Sequence, residues 1–205
     1  MSPDRVESPG EERANAWSAA AGLAGALTFL VLLVLARPVS PGQIVFALAL
    51  LALFFASTVY HVLPHGPLKR IARVLDHAAI FVLIAGTYTP FAAGPLRHAG
   101  GGWLLLIEWT MAALGVGFVL LGGMNFRRLS NALYIAMGWA GLMFLPDFLR
   151  HVGAHAMAWI VAGGVVYTAG VVFYSARSWR YSHFAWHLFV LVGAACHAYA
   201  VAMYC

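Results

Sequence analysis

The sequence is poor in charge. Asp, Glu, Lys and Arg make up 9% of its 205 residues and apolar residues 62%, where a soluble domain has roughly 25% charged and about 45–50% apolar residues. A water-soluble globular fold is excluded. Cysteine is scarce as well: Cys196 and Cys205 lie nine positions apart on one apolar stretch. That spacing is about 13 Å along a helix, so the two thiols cannot bridge and no disulfide framework exists. The sequence has no glycine-rich phosphate loop, no serine nucleophile elbow and no repeat of 20 to 50 residues. The first sixteen residues mix Asp4, Glu7, Glu11 and Glu12 with Arg5 and Arg13 and lack an apolar core. A cleaved leader is therefore not expected, and the first apolar stretch should remain as an anchor. The net charge of +5 is spread among loops rather than gathered on one face, which argues against nucleic acid as a partner.

The charge-poor blocks approach the ~20 residues that a helix needs to cross a bilayer. Seven such runs are present: Trp17 to Ala36, Gln43 to Leu63, Asp76 to Ala93, Trp103 to Gly123, Ala132 to Leu149, His155 to Ser175 and Phe184 to Tyr204. The expected fold is all-α, a polytopic membrane protein built as one bundle of seven transmembrane helices. Residues 1–16 are expected as a short tail and 17–205 as the single membrane domain. Small residues recur along the runs, as at Gly22 with Gly25, Gly115 with Gly117, Gly163 with Gly164, and Gly193 with Ala194; they suit close helix packing. Trp103, Trp159, Trp179 and Tyr181 fall near run ends, where aromatic side chains anchor at the interface.

If the spans alternate, one side carries Arg5, Arg13, Lys69, Arg70, Arg73, Arg127, Arg128, Arg177 and Arg180, and the other carries Arg37, Arg97 and Arg150. The positive-inside bias then places the N-terminus in the cytosol and the C-terminus outside. Lys69, Arg70 and Arg73 form a basic cluster between spans two and three, suited to topology and to contact with anionic headgroups.

Outside the tail only three acids occur, Asp76, Glu108 and Asp147, and an ionisable group at membrane depth is a functional candidate by default. Two pairs have i, i+4 spacing, Ser57 with His61 and His183 with His187, so each pair shares one helix face. With alternating spans, His61, Asp76 and the His183–His187 pair fall in the same cytosolic layer. Three imidazoles plus a water match the ligand count of a catalytic zinc site. His61, His183 and His187 are the expected ligands. Asp76 would hydrogen-bond a water on the ion or ligate directly, and Ser57 would orient that water or a substrate carbonyl. Blander readings stand beside this one: the histidine pair as interhelical hydrogen-bonders, and Asp76 as an acid favoured by a helix N-terminus. His77 should face elsewhere, and His197 lies too deep to share the ion and should hydrogen-bond within the bundle. Glu108 and Asp147 are expected to pair with each other, with Arg150 or with solvent, a proton path being the alternative. His65, His98, His151 and His155 should be solvated.

The segments Ser57-Thr-Val-Tyr60-His61, Leu75-Asp76-His77, Ala85-Gly-Thr-Tyr-Thr-Pro-Phe91, Ser182-His183-Phe-Ala-Trp-His187 and Cys196-His197 together resemble the bacterial hemolysin III proteins. These belong with the progestin and adiponectin receptor family, and the likeness covers about residues 11 to 205. It implies a seven-helix membrane protein, N-terminus in the cytosol, with zinc near the inner leaflet held by His61, His183 and His187, and with Asp76 and Ser57 at the same site. Relatives are linked to ceramide hydrolysis, and the wider superfamily includes alkaline ceramidases, so the resemblance implies a zinc-dependent hydrolase of lipid amide or ester bonds in a bacterial inner membrane, with membrane lipids as partners. A sensor or regulator with structural zinc is the alternative. A pore-forming cytolysin, suggested by the family name, fits less well because polar residues concentrate at one face instead of lining a conduit. The chain departs from its relatives in the first span, where they often carry a histidine and it reads Asn15-Ala-Trp-Ser-Ala-Ala-Ala-Gly22.

The orientation is checked by C-terminal fusions. Alkaline phosphatase joined after Cys205 should be active and a fluorescent protein joined there dark; the reverse pattern would invert the topology.

Overall fold

The computed structural model describes residues 7–36, 38–122, 126–176 and 178–205. Asp4, Arg5, Arg37, Gly123 and Arg177 lie outside the described residues, as do the side chains of Ala36 and Arg127. The helices are α1 Pro9–Ala36, α2 Pro41–Val62, α3 Pro67–Ala93, α4 Gly101–Leu120, α5 Arg127–Trp139, α6 Leu145–His151, α7 Ala154–Ser175 and α8 Ser182–Tyr204. A 3-10 turn, Ala140–Phe144, links α5 to α6. Counted with that broken crossing, seven segments among the described residues are long and apolar enough to span a bilayer.

Start signals written in the sequence explain where the first helices begin. At α2, Ser40 accepts from the Gln43 amide while Gln43 accepts from the Ser40 amide, a complete capping box followed by Pro41. The same device starts α1: the Ser8 amide donates to Glu11 Oε2 at 2.9 Å, the Glu11 amide faces Ser8 Oγ at 3.4 Å, and Pro9 follows. The helix therefore begins eight residues before the Trp17 expected from hydropathy alone. Glu11 and Asn15, which the sequence places in the tail, are buried against the bundle.

For the fifth crossing hydropathy predicts one unbroken run from Ala132 to Leu149, but the helix breaks at its centre for a local reason. The Tyr88 hydroxyl of α3 donates to the Gly138 carbonyl at 2.6 Å and accepts from the Gly141 amide at 3.2 Å. It thereby takes up backbone groups that an unbroken helix would pair internally, one of the recognised causes of a kink. Gly141 permits this because the Tyr88 ring occupies the space a Cβ would need.

α2 and α3 form the most extensive helix pair, with α1 packed on α2 and α8, α4 on α3, and α7 on α8. Small residues set the distances. Gly42 brings α2 against the backbone of Pro90, and Gly86 brings α3 against Ala49. Gly22 seats the Phe54 ring and Gly115 the Phe81 ring, whereas Gly25 and Gly117 face open space. Large apolar side chains such as Leu35, Leu114 and Val192 are exposed around the outside, as a lipid-facing surface requires. Trp103, Trp159, Trp179 and Tyr181 are exposed there too. The first turns of α1, α3 and α8 and the last turn of α2 meet at one end of the bundle.

Candidate metal centre

His61 ends up in the last turn of α2, and His183 and His187 in the first two turns of α8. Their rings lie 5.1 Å (His61 to His183), 5.0 Å (His61 to His187) and 4.7 Å (His183 to His187) apart between centroids. One ligand nitrogen from each lies within 4.8 Å of the others, so the three can hold one metal ion. His61 and His187 are buried. His61 Nε2 is also buried and has no hydrogen-bond partner among the described residues. Leaving such an atom unsatisfied costs on the order of 1–3 kcal/mol, and a bound cation would offset that cost. The donor set, three imidazoles, suits zinc and neighbouring transition metals rather than calcium or magnesium.

Of the other expected site residues, Asp76 and Ser57 are brought together. The Ser57 hydroxyl lies beside the Asp76 carboxylate, and both side chains are buried. Asp76 does not belong to any close group of metal-ligating atoms among the described residues, so direct ligation is not the arrangement found. His77 turns away as expected. Its Nδ1 donates to the Arg73 carbonyl at 2.9 Å, so its Nε2 accepts from the Tyr174 hydroxyl at 2.8 Å. His197 hydrogen-bonds the Ile160 carbonyl at 3.0 Å, in line with a role inside the bundle. His65, His98, His151 and His155 are exposed.

Two expectations need correction. Glu108 does not pair with Asp147, Arg150 or solvent: it is fully buried and neither carboxylate oxygen has a hydrogen-bond partner among the described residues. Lys69 does not face headgroups. It is buried, donating to the Tyr60 and Leu63 carbonyls at 3.0 and 3.2 Å and pairing with Glu12 Oε1 at 3.0 Å. The unpaired carbonyls at the end of α2 draw it inward.

Sequence reasoning missed the part α1 plays. Glu12 Oε2 meets His61 Nδ1 at 2.9 Å, Ser18 Oγ meets His187 Nδ1 at 2.8 Å, and Glu11 Oε1 accepts from the Tyr181 amide at 2.8 Å. Tyr181 holds a left-handed φ of 58° just before α8, a conformation uncommon for a side-chain-bearing residue. Glu11 therefore helps fix the start of the helix that carries two of the histidines. The signal available was the Ser8-Pro-Gly-Glu11 box, which extends α1 far enough to put Glu11, Asn15 and Ser18 on neighbouring faces. Glu7 and Glu12 form a second close group with His61, but Glu12 is already matched by Lys69 and His61, which leaves it poorly placed to take another cation.

Two cavities meet at Tyr174, near His183. The larger, of about 110 Å³, is almost wholly apolar and runs among α2, α3, α5, α7 and α8, with Leu53, Leu83, Tyr134, Tyr174, Trp186 and His197 on its walls. From Trp186 to His197 it follows α8 for eleven residues, about 16 Å at the helical rise. The smaller, of about 40 Å³, is polar and is lined by Glu7, Glu11, Asn15 and His183. Tyr174 borders both cavities, with its ring 6.2 Å from that of His183.

The protein-family profile described as Haemolysin-III related matches residues 8–198. The chain belongs to that family. This haemolysin-III-related protein is 35% identical over 201 residues to the Hemolysin-3 homolog of Bacillus subtilis (strain 168), a match covering 95% of this chain and 94% of the relative. It is also 29% identical over 170 residues to the Monocyte to macrophage differentiation factor of Homo sapiens, covering 78% and 68% of the two chains. A third relative is the Heptahelical transmembrane protein ADIPOR2 of Oryza sativa subsp. japonica, 34% identical over 149 residues, with 62% and 65% covered. With its seven crossings, the haemolysin-III-related protein is an integral membrane protein.

Metal content checks the centre. The purified protein, after zinc loading and desalting, should retain about one ion per chain. His183→Ala/His187→Ala should retain almost none, and His65→Ala should match wild type. Equal retention by the double variant, measured by elemental analysis, would remove these residues from the site.

Proposed function

We propose that the protein is a zinc-dependent hydrolase of lipid amide or ester bonds, ceramidase-like in its chemistry, with its metal centre at the cytosolic face of a bacterial inner membrane. The observation that carries this reading is the cluster of three imidazoles in which His183 lines the polar pocket and lies 6.2 Å, between ring centroids, from Tyr174, the residue at the boundary between that pocket and the apolar cavity. Such a boundary suits a molecule with one wet end and one hydrocarbon end. The apolar cavity takes an acyl chain and excludes water along it, while the carbonyl rests at the histidines. His61, His183 and His187 would hold the zinc, which would supply polarisation of the carbonyl and a lowering of the pKa of water toward ~7.

Asp76 accepts the proton of the attacking water at its carboxylate, and the Ser57 hydroxyl holds that carboxylate in place. Hydrolysis adds the hydroxyl to the carbonyl carbon and breaks the C–N or C–O bond. The proton on Asp76 then passes to the departing amine or alkoxide. His77 is engaged by Arg73 and Tyr174 and takes no part in the transfer.

A non-enzymatic reading, in which the ion only ties α2 to α8, draws support from the burial of His61 and His187 beneath α1. Turnover separates the two. Zinc-loaded protein in liposomes containing N-acyl sphingoid lipids and glycerolipids should release free fatty acid. Removing a general base costs typically 10²–10⁴-fold, so Asp76→Asn should lower the rate by about that factor while keeping its zinc. No release from any lipid, or an undiminished rate in His187→Ala, would sink the hydrolase and leave the structural ion.

A further inference from the structure

The two buried imidazoles of the centre each face α1 with Nδ1, and the chemistry of what they meet decides where their protons sit. Glu12 is held 3.0 Å from the Lys69 ammonium, and a carboxylate in such a pair only accepts hydrogen bonds. At 2.9 Å from Glu12 Oε2, His61 Nδ1 must therefore carry a proton. Ser18 leads to the same result by a different route. A hydroxyl has one proton to donate, and Ser18 donates it to the Asn15 carbonyl at 2.9 Å. Its oxygen, 2.8 Å from His187 Nδ1, is then an acceptor. With its one proton on the Asn15 carbonyl the hydroxyl has none to give to Nδ1, so that nitrogen carries its own.

With Nδ1 protonated in a neutral imidazole, the lone pair lies on Nε2. For His61 that is the buried atom without a partner. Glu12 touches the opposite edge of the ring, so it acts through His61 instead of coordinating beside it. Outer partners of this kind fix tautomer and ring orientation and raise ligand basicity.

We propose that Glu12 and Ser18 of α1 are the positioning residues of the metal centre, presetting the Nδ1–H tautomers of His61 and His187 so that both Nε2 atoms are ready to ligate before any ion arrives. This rests on the proposed metal centre for its consequence, though not for the tautomers themselves. It also gives a specific role to the segment that hydropathy marks as a tail, since α1 supplies no ligand and prepares two.

Glu12→Gln is the informative variant. The ammonium of Lys69 can only donate, so it claims the new amide's single carbonyl. The amide NH₂ then faces His61 Nδ1, forcing the His61 proton onto Nε2, the wrong tautomer for binding. In metal-free protein, nitrogen NMR of labelled histidine should report Nδ1–H for His61 and His187 in wild type and Nε2–H for His61 in Glu12→Gln. In chelator competition with zinc, Glu12→Gln and Ser18→Ala should each weaken affinity by about 10–100-fold. Arg13→Gln, at an exposed position of α1, should bind as wild type. Adding Lys69→Met to Glu12→Gln frees the carbonyl and should restore affinity, a rescue that a merely structural role would not give. Unchanged tautomers and affinity in Glu12→Gln would overturn the proposal. If wild type binds no zinc but shows both Nδ1–H tautomers, the metal reading falls and the positioning by α1 stands.

Discussion

The structure depends on one meeting of helix ends: the last turn of α2 against the first two turns of α8, with three imidazoles between them. In a bilayer, helices have little hydrophobic incentive to choose one partner over another, and packing and polar contacts make the choice. α2 approaches α1 and α3 closely through residues such as Gly22, Gly42 and Gly86, whereas it touches α8 over a much shorter length. Polar contacts join α2 to α8 at both ends: the histidines at one, and the Gln43 amide donating to the Val201 and Cys205 carbonyls at the other. A metal at the histidines would close this contact.

α1 gives the contact its direction. Glu12 joins the end of α2 to the start of α3 through His61 and Lys69, and Glu11 and Ser18 join α1 to the start of α8. These are buried or half-buried charged and polar groups, and each would be costly without its partner. Together they hold the three helix ends in one register, with His183 near Tyr174, a wall of the apolar cavity. The chemistry proposed for the site follows from this placement: polar groups that can move a proton on one side, a slot of hydrocarbon character on the other.

Much of this is legible in the sequence. Seven apolar runs and the scarcity of charge fix the architecture, because a bilayer leaves an apolar chain few ways to satisfy its backbone. The i, i+4 spacing of His183 and His187 and the depth of His61 point to the cluster because helical periodicity and alternating spans are rigid rules. What stays hidden depends on contacts between distant residues. Hydropathy averages over a window, so it starts the first span at Trp17 and passes over a capping box at Ser8 and Glu11. Lys69 reads as a surface cation until the α2 carbonyls and Glu12 are seen around it. The break in the fifth crossing depends on a hydroxyl from α3, fifty residues away from Gly138. Glu108 is the opposite case: its isolation in the sequence suggests a partner, and its carboxylate has no hydrogen-bond partner among the described residues.

The central claim is that imidazoles from two helices surround one ion. Zinc K-edge X-ray absorption of the zinc-loaded protein tests it most directly. The account predicts three imidazole nitrogens at about 2.0–2.1 Å and no sulfur. A shell containing thiolate, or fewer than two imidazoles, would contradict it.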